Sequence, residues 1–186
     1  GELTGLTRVR SLTQPDCPIF CTEAQIQQEF ALALRLIREV LDTYGFRDYL
    51  VQLSLRGDDG KYVDDEDKWT RATDALRSAL EAEEVPYLEA AGEAAFYGPK
   101  ADFMAKDVLG REWQLSTIQV DFIQPERLGC AYVAEDGTRR TPVVLHRAVT
   151  GSTERFMGVM IEHFAGDFPL WLAPEQVRVI PIADRH

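Results

Sequence analysis

The sequence predicts an α+β fold: an antiparallel β-sheet with flanking helices. Three observations point to it. Apolar residues recur every three or four positions in three separate stretches, and every second position in the stretches between them. The period-2 stretches come as neighbours joined by tight turns, which is the signature of hairpins. Consecutive hairpins with helices set between them exclude a purely parallel, doubly wound sheet.

The first helix spans Thr22 to Tyr44, with Ile26, Phe30, Leu34, Ile37, Leu41 and Tyr44 on one face. Thr22 and Gln25 have capping-box spacing, and Gly45 supplies a left-handed stop. "YLVQLSLR" reads as a strand, and the polar loop "GDDGKYVDDED" leads to a second helix carrying Trp69, Ala72, Leu76 and Leu80, ended by Pro86. "AFYGPKADFMAKD" and "EWQLSTIQVDF" form a hairpin turning around Leu109 to Arg111. "LGCAYVAEDGTRRTPVVLHRAV" is expected to be a second strand pair, turning at Asp136-Gly137. "GSTERFMGVMIEHFAG" is the last helix, and "LWLAPEQVRVIPIAD" a proline-punctuated link into a strand.

With 186 residues, of which 45% are hydrophobic, the chain has enough apolar mass for one large domain. No apolar run approaches the roughly 20 residues of a membrane span, no secretory leader is visible in residues 1–10, and a cytoplasmic location is expected. Three cysteines are too few for a disulfide scaffold. A net charge of −11 disfavours a surface that coats nucleic acid, so any such contact must be local.

Several residues stand out chemically. "TQPDCPIFC" holds Cys17 and Cys21, a spacing one residue too long for the usual zinc or redox knuckle. On a strand the two share a face and can simply be small buried hydrophobes. His146 sits inside the apolar strand "VVLHRAV", as a core histidine or a ligand. Arg8 and Arg10 alternate with Val9 on an expected N-terminal strand. Arg155 lies in the first turn of a helix, where a cation opposes the helix dipole and a bound anion would relieve it. Gln114 and Gln119, five apart, line one pocket only if a bulge intervenes between them.

Together these segments resemble the catalytic core of threonyl-tRNA synthetase, a class II aminoacyl-tRNA synthetase. "GLTRVRSLTQPD" with "IFC" resembles the second half of class II motif 2. "AFYGPKADF" and "WQLSTIQVDF" resemble the strands of the amino-acid pocket, and "LHRAVTGSTERF" with "FAGDFPLWLAPEQV" resembles motif 3 and its exit toward the anticodon-binding domain. The resemblance implies a partial class II catalytic domain over 1–172, then a linker and the start of the anticodon-binding domain over 173–186.

What the resemblance implies is ATP-dependent activation of threonine to threonyl-adenylate and transfer to tRNA, with Mg²⁺ accompanying ATP. Arg155 and Arg8 would hold the phosphates as catalytic residues, with Gln14 and Gln119 joining them around ATP. Asp16, Tyr97, Lys100, Gln114 and Gln119 would contact the amino acid. His146 matches a zinc ligand. Two departures stand beside this. Pro18 occupies the place of a zinc-binding histidine, with Cys17 next to it as a substitute thiolate, and Leu12 replaces a phenylalanine that stacks on adenine. The chain also begins inside motif 2, so motif 1, the dimer interface of this homodimeric family, would be absent and the isolated chain inactive. The alternative is a non-charging synthetase-like paralogue that binds nucleotide or a protein partner.

Overall fold

The computed structural model describes residues 2–183. After β1 (Asp16–Cys21) and one 3-10 turn (Glu23–Gln25), α1 (Ile26–Thr43) buries Ile26, Phe30, Ala33, Leu34, Ile37 and Leu41. Its entry is the expected box: the Gln25 side chain accepts from the Thr22 N–H at 2.9 Å. β2 (Tyr49–Leu55) precedes α2 (Glu66–Ala82), where Asp65 caps the Lys68 N–H at 3.2 Å. α2 ends four residues before Pro86, because Glu84 already adopts a left-handed backbone with φ 51°.

β3 (Tyr87–Ala91) follows, pairing in parallel with β2 at the edge of the sheet. Sequence periodicity does not expose this strand, since an edge strand with most side chains in solvent carries no strict alternation. β4 (Lys100–Lys106) and β5 (Glu112–Asp121) form the expected hairpin. A short helix, α3 (Gln124–Arg127), leads to β6 (Tyr132–Val133) and β7 (Arg139–Arg140), which pair only with each other. The strand that joins the main sheet is β8 (Val143–Ala148), so the second expected pair resolves into a small ribbon plus a separate sheet strand. α4 (Thr153–Phe164) closes the fold.

The six-stranded sheet runs β1-β8-β5-β4-β2-β3, antiparallel except for β2 with β3. One face packs Val51, Leu53, Phe103, Ile118, Val120 and Leu145 under α1 and α2. Alternation sends Ser54, Asp102, Thr117, Gln119, Asp121, His146, Pro18 and Asp16 to the other face.

Two expected strands do not form. Residues around Arg8 make a tight turn closed by mutual Thr4 and Arg8 backbone bonds of 3.0 and 3.1 Å. Residues 174–183 contain no strand, and Val177, Val179, Ile180 and Ile182 are exposed; with no partner strand beside them, alternation alone builds no ladder.

Asp107 ties the β4–β5 turn. Its carboxylate accepts from the Leu109 and Arg111 N–H groups at 2.9 Å each, from Trp113 Nε1 at 2.8 Å and from Arg111 Nε at 2.5 Å. Burial favours the neutral acid, but these donors outweigh it and hold the carboxyl down at about 2. A depressed folded value means stabilisation that is complete above the unfolded carboxyl value of about 4 and is lost as pH falls toward about 2. Acid titration of urea stability should therefore show a decline between these limits, and Asp107→Asn should flatten that part of the curve while lowering stability at neutral pH.

Candidate functional site

The polar face of the sheet is organised by Asp102 on β4, which is only 2% exposed. Its carboxylate accepts from Ser54 Oγ at 2.8 Å, Thr117 Oγ1 at 2.8 Å and Gln114 Nε2 at 2.7 Å, and pairs with Lys100 Nζ at 2.7 Å. A buried charge survives only with this kind of satisfaction. Gln114 takes part because β5 is bulged: Phe103 lies opposite Ser116 but Met104 opposite Gln114, leaving Leu115 as the extra residue. The bulge turns Gln114 onto the face that carries Gln119. It fits only against glycine, since a Cβ on Gly151, whose φ is 57°, would sit 2.7 Å from the Leu115 carbonyl oxygen.

A second cluster lies across β5, β8 and β1. Asp121, fully buried, accepts from the Ile123 and Gln124 N–H groups at 2.8 Å each and lies 3.0 Å from His146 Nε2. The Tyr97 hydroxyl donates to Gln119 Oε1, and its ring lies 5.5 Å from that of His146. Burial, followed by the negative charges of Asp121 and Asp16, pushes the Tyr97 phenol up to about 12, so it remains a donor at any working pH. Tyr97 can approach because its neighbour is Gly98, where a Cβ would stand 2.1 Å from the Val120 carbonyl oxygen. Asp16 and Pro18 face this cluster from β1, with Pro18 in register with His146. Cys17 and Cys21 point to the opposite, helix-covered side, so Cys17 cannot replace a ligand at position 18.

The cationic end is built by α4. Ser152 caps the helix through a 3.3 Å bond from the Arg155 N–H, and the Arg155 side chain returns toward the sheet. Its Nε donates to the Thr7 carbonyl at 3.1 Å, Nη1 donates to the Gln114 carbonyl at 3.4 Å, and the guanidinium lies 5.5 Å from the Trp113 ring centroid. Burial, then the proximity of Arg8, pushes Arg155 below its ordinary value, although a guanidinium stays charged. Among the described residues, neither Arg8 nor Arg155 has a carboxylate within ion-pair distance, since Glu154 is turned to the Thr13 N–H and Ser152. Two neighbouring cations without a counter-charge make this end of the face electrostatically favourable for an anion.

The face thus gathers Asp16, Tyr97, Lys100, Gln114, Gln119 and His146, with Arg155 joined to it through Gln114. Lys100 is committed to Asp102. Gln14 is exposed and makes no side-chain bond among the described residues, and Leu12 is half exposed. Sequence reasoning missed Asp102, Asp121 and Trp113. The available signal was an acid inside an otherwise apolar strand, which must point inward and be paired. Two concavities lie elsewhere: a groove of about 770 Å³ beside the β6–β7 ribbon and one of about 540 Å³ next to Phe20 and Cys130. Neither includes the residues above, and the chemistry follows the side chains.

As a metal centre the face is incomplete. Among the described residues no three His, Cys, Asp or Glu groups converge on one point, and position 18 offers no donor atom. Among the described residues, too, no helix is long and apolar enough to cross a membrane.

Residues 1–164 match the model of the tRNA synthetase class II core domain (G, H, P, S and T). The chain belongs to this family. Across its full length this synthetase core is 72% identical to a threonine–tRNA ligase of Rubrobacter xylanophilus and 52% identical to one of Thermus thermophilus, spanning 29% and 28% of those proteins. It therefore covers less than a third of the length of such relatives. In three dimensions it resembles the RNA binding domain of threonyl-tRNA synthetase from Cryptosporidium parvum, with a TM-score of 0.86 and 40% identity over 92% of the chain and 42% of that one. Staphylococcus aureus histidyl-tRNA synthetase shares the fold at TM-score 0.57 and 16% identity over 83% of the chain and 41% of that one.

Proposed function

We propose that this synthetase core is the adenylate-forming centre of a threonine–tRNA ligase. The observation that carries the reading is the junction at Gln114, where an unpaired cation pair meets a buried polar face. A phosphate chain fits the first and a small polar amino acid the second. The substrate carboxylate attacks the α-phosphorus of ATP and pyrophosphate leaves; a terminal ribose hydroxyl of tRNA then attacks the acyl carbonyl and AMP leaves. Such chemistry rests on positioning and on neutralising charge over phosphate oxygens. Arg155 and Arg8 supply the protein's share of that charge, and Mg²⁺ is expected to enter with the phosphates. Gln119 and Tyr97 orient the amino acid, Gln14 reaches the nucleotide from the loop before β1, and Asp16 receives the ammonium group.

Residues 173–186 lead toward an anticodon-binding domain in this reading, and the parent protein works as a cytoplasmic homodimer. A second reading, a paralogue that binds nucleotide without charging tRNA, is favoured by Pro18. Threonine-dependent exchange of pyrophosphate into ATP by the full-length protein separates the two. In that assay Asp16→Asn should raise the threonine KM about ten- to a hundredfold, the value of a hydrogen bond to a charged group, and leave the ATP KM unchanged. An equal rise in both constants would count against an ammonium role for Asp16.

A further inference from the structure

We propose that the amino-acid end of this face works without zinc, with Asp16 receiving the substrate's ammonium group and His146, held by the buried Asp121, receiving its hydroxyl directly. The proposal rests on the threonine-activating reading above, and it begins from a mismatch in the sheet register. His146 is set up like a metal ligand: Nε2 is held at 3.0 Å by a buried carboxylate, which fixes the ring and leaves Nδ1 without a hydrogen-bond partner among the described residues. Directly across the β1–β8 ladder, where a second ligand would stand, is Pro18. Proline has no side-chain donor for a metal. On the edge strand β1 it is tolerated, because an edge can spare a ladder N–H.

Among the described residues nothing else fills the gap. Cys17 lies on the other face of β1, in register with Arg147, and Cys21 is buried on that same side. A burial-raised thiol, at about 11 for Cys21, is a poor source of thiolate in any case. Zinc takes three protein ligands even at a catalytic site; of these the described residues present one imidazole, and Pro18 removes a second whatever other segments of the parent protein contribute. The same corner is instead rich in acceptors for a cation. Asp16 and Asp121 approach Tyr97 from two strands, and His146 Nδ1 accepts when Nε2 carries the proton toward Asp121. An ammonium group on Asp16 and a hydroxyl donating to the imidazole need no metal, and the hydroxyl contact still disfavours valine.

The test uses the full-length protein purified without chelator. Elemental analysis should find less than ~0.1 zinc per chain, because a site that has proline in place of an imidazole falls short of the three ligands the ion needs. Threonine-dependent pyrophosphate exchange should survive dialysis against 1,10-phenanthroline unchanged. Near-stoichiometric zinc, or exchange lost on chelation and restored by zinc, would overturn the inference. Pro18→His supplies the second imidazole: cobalt(II) added to that variant should produce the visible band of a bound tetrahedral ion, and the unmodified protein should show none. The same band in the unmodified protein would overturn the inference without recourse to activity, and so covers a variant that fails to fold. If exchange is absent in zinc-free protein, the threonine-activating reading fails while metal content still decides this one.

Discussion

Arg155→Ala in the full-length protein should lower the kcat of threonine-dependent pyrophosphate exchange by about a hundred- to a thousandfold, as removal of a preorganised charge contact does in other transition states. The size of the effect follows from how the residue is held. Its guanidinium is oriented only by neutral groups, the Thr7 and Gln114 carbonyls and the Trp113 ring, so its positive charge is not spent on a protein carboxylate. A cation kept half-buried beside Arg8 is unfavourable until an anion arrives, which makes it preorganised for charge developing on phosphate oxygens. Arg155→Lys should recover little, because one ammonium cannot span both carbonyls and stack on Trp113. The threonine KM should change less than kcat. A variant with normal kcat and only a raised threonine KM would move Arg155 out of the phosphate site.

Asp102→Ala should destabilise the domain by about 3–5 kcal/mol, the usual result of removing one partner from a buried ion pair. Four donors lose their acceptor at once: Lys100, Ser54, Gln114 and Thr117. Lys100 is itself largely buried, so its charge is left stranded. Urea unfolding of the purified protein measures the shift in midpoint. Lys100→Met combined with Asp102→Ala should cost less than the sum of the single changes, since the stranded charge is gone. A shift below about 1 kcal/mol for Asp102→Ala would mean that water entering from the open face satisfies the donors.

How far the sequence reveals this molecule depends on which physical signal a residue leaves. α1 was legible at both ends because Thr22, Gln25 and Gly45 are local signals and the apolar period between them is unbroken. Arg155 was legible as an oddity because a cation in a first helical turn opposes the local dipole. β3 was not, since a mostly exposed edge strand need not alternate. The β6–β7 ribbon was misjoined because a turn signal fixes where a chain reverses, and the sheet edge a strand joins is decided by distant packing. Asp102 and Asp121 left only the signal of an acid inside an apolar strand; which groups pair them is decided by other strands and by a helix start. The two-glutamine problem was legible only as a condition, a required bulge, and the structure supplies it.

That bulge makes β5 a strand with two phases. From Ser116 onward, even-numbered positions point into the helix-packed interior; before Leu115 the parity is reversed, and Gln114 is the first polar residue on the far side of the change. The face presented by residues 112–114 is therefore set by the ladder leaving Leu115 unpaired rather than by their identities. Straightening the strand with Leu115 kept in the ladder would restore uniform alternation, turn the Gln114 amide away from Asp102, and displace the carbonyl that receives Arg155. Substitutions can vary the chemistry of this centre one contact at a time, whereas losing the bulge with Leu115 kept separates its anion-binding end from its polar end in one step.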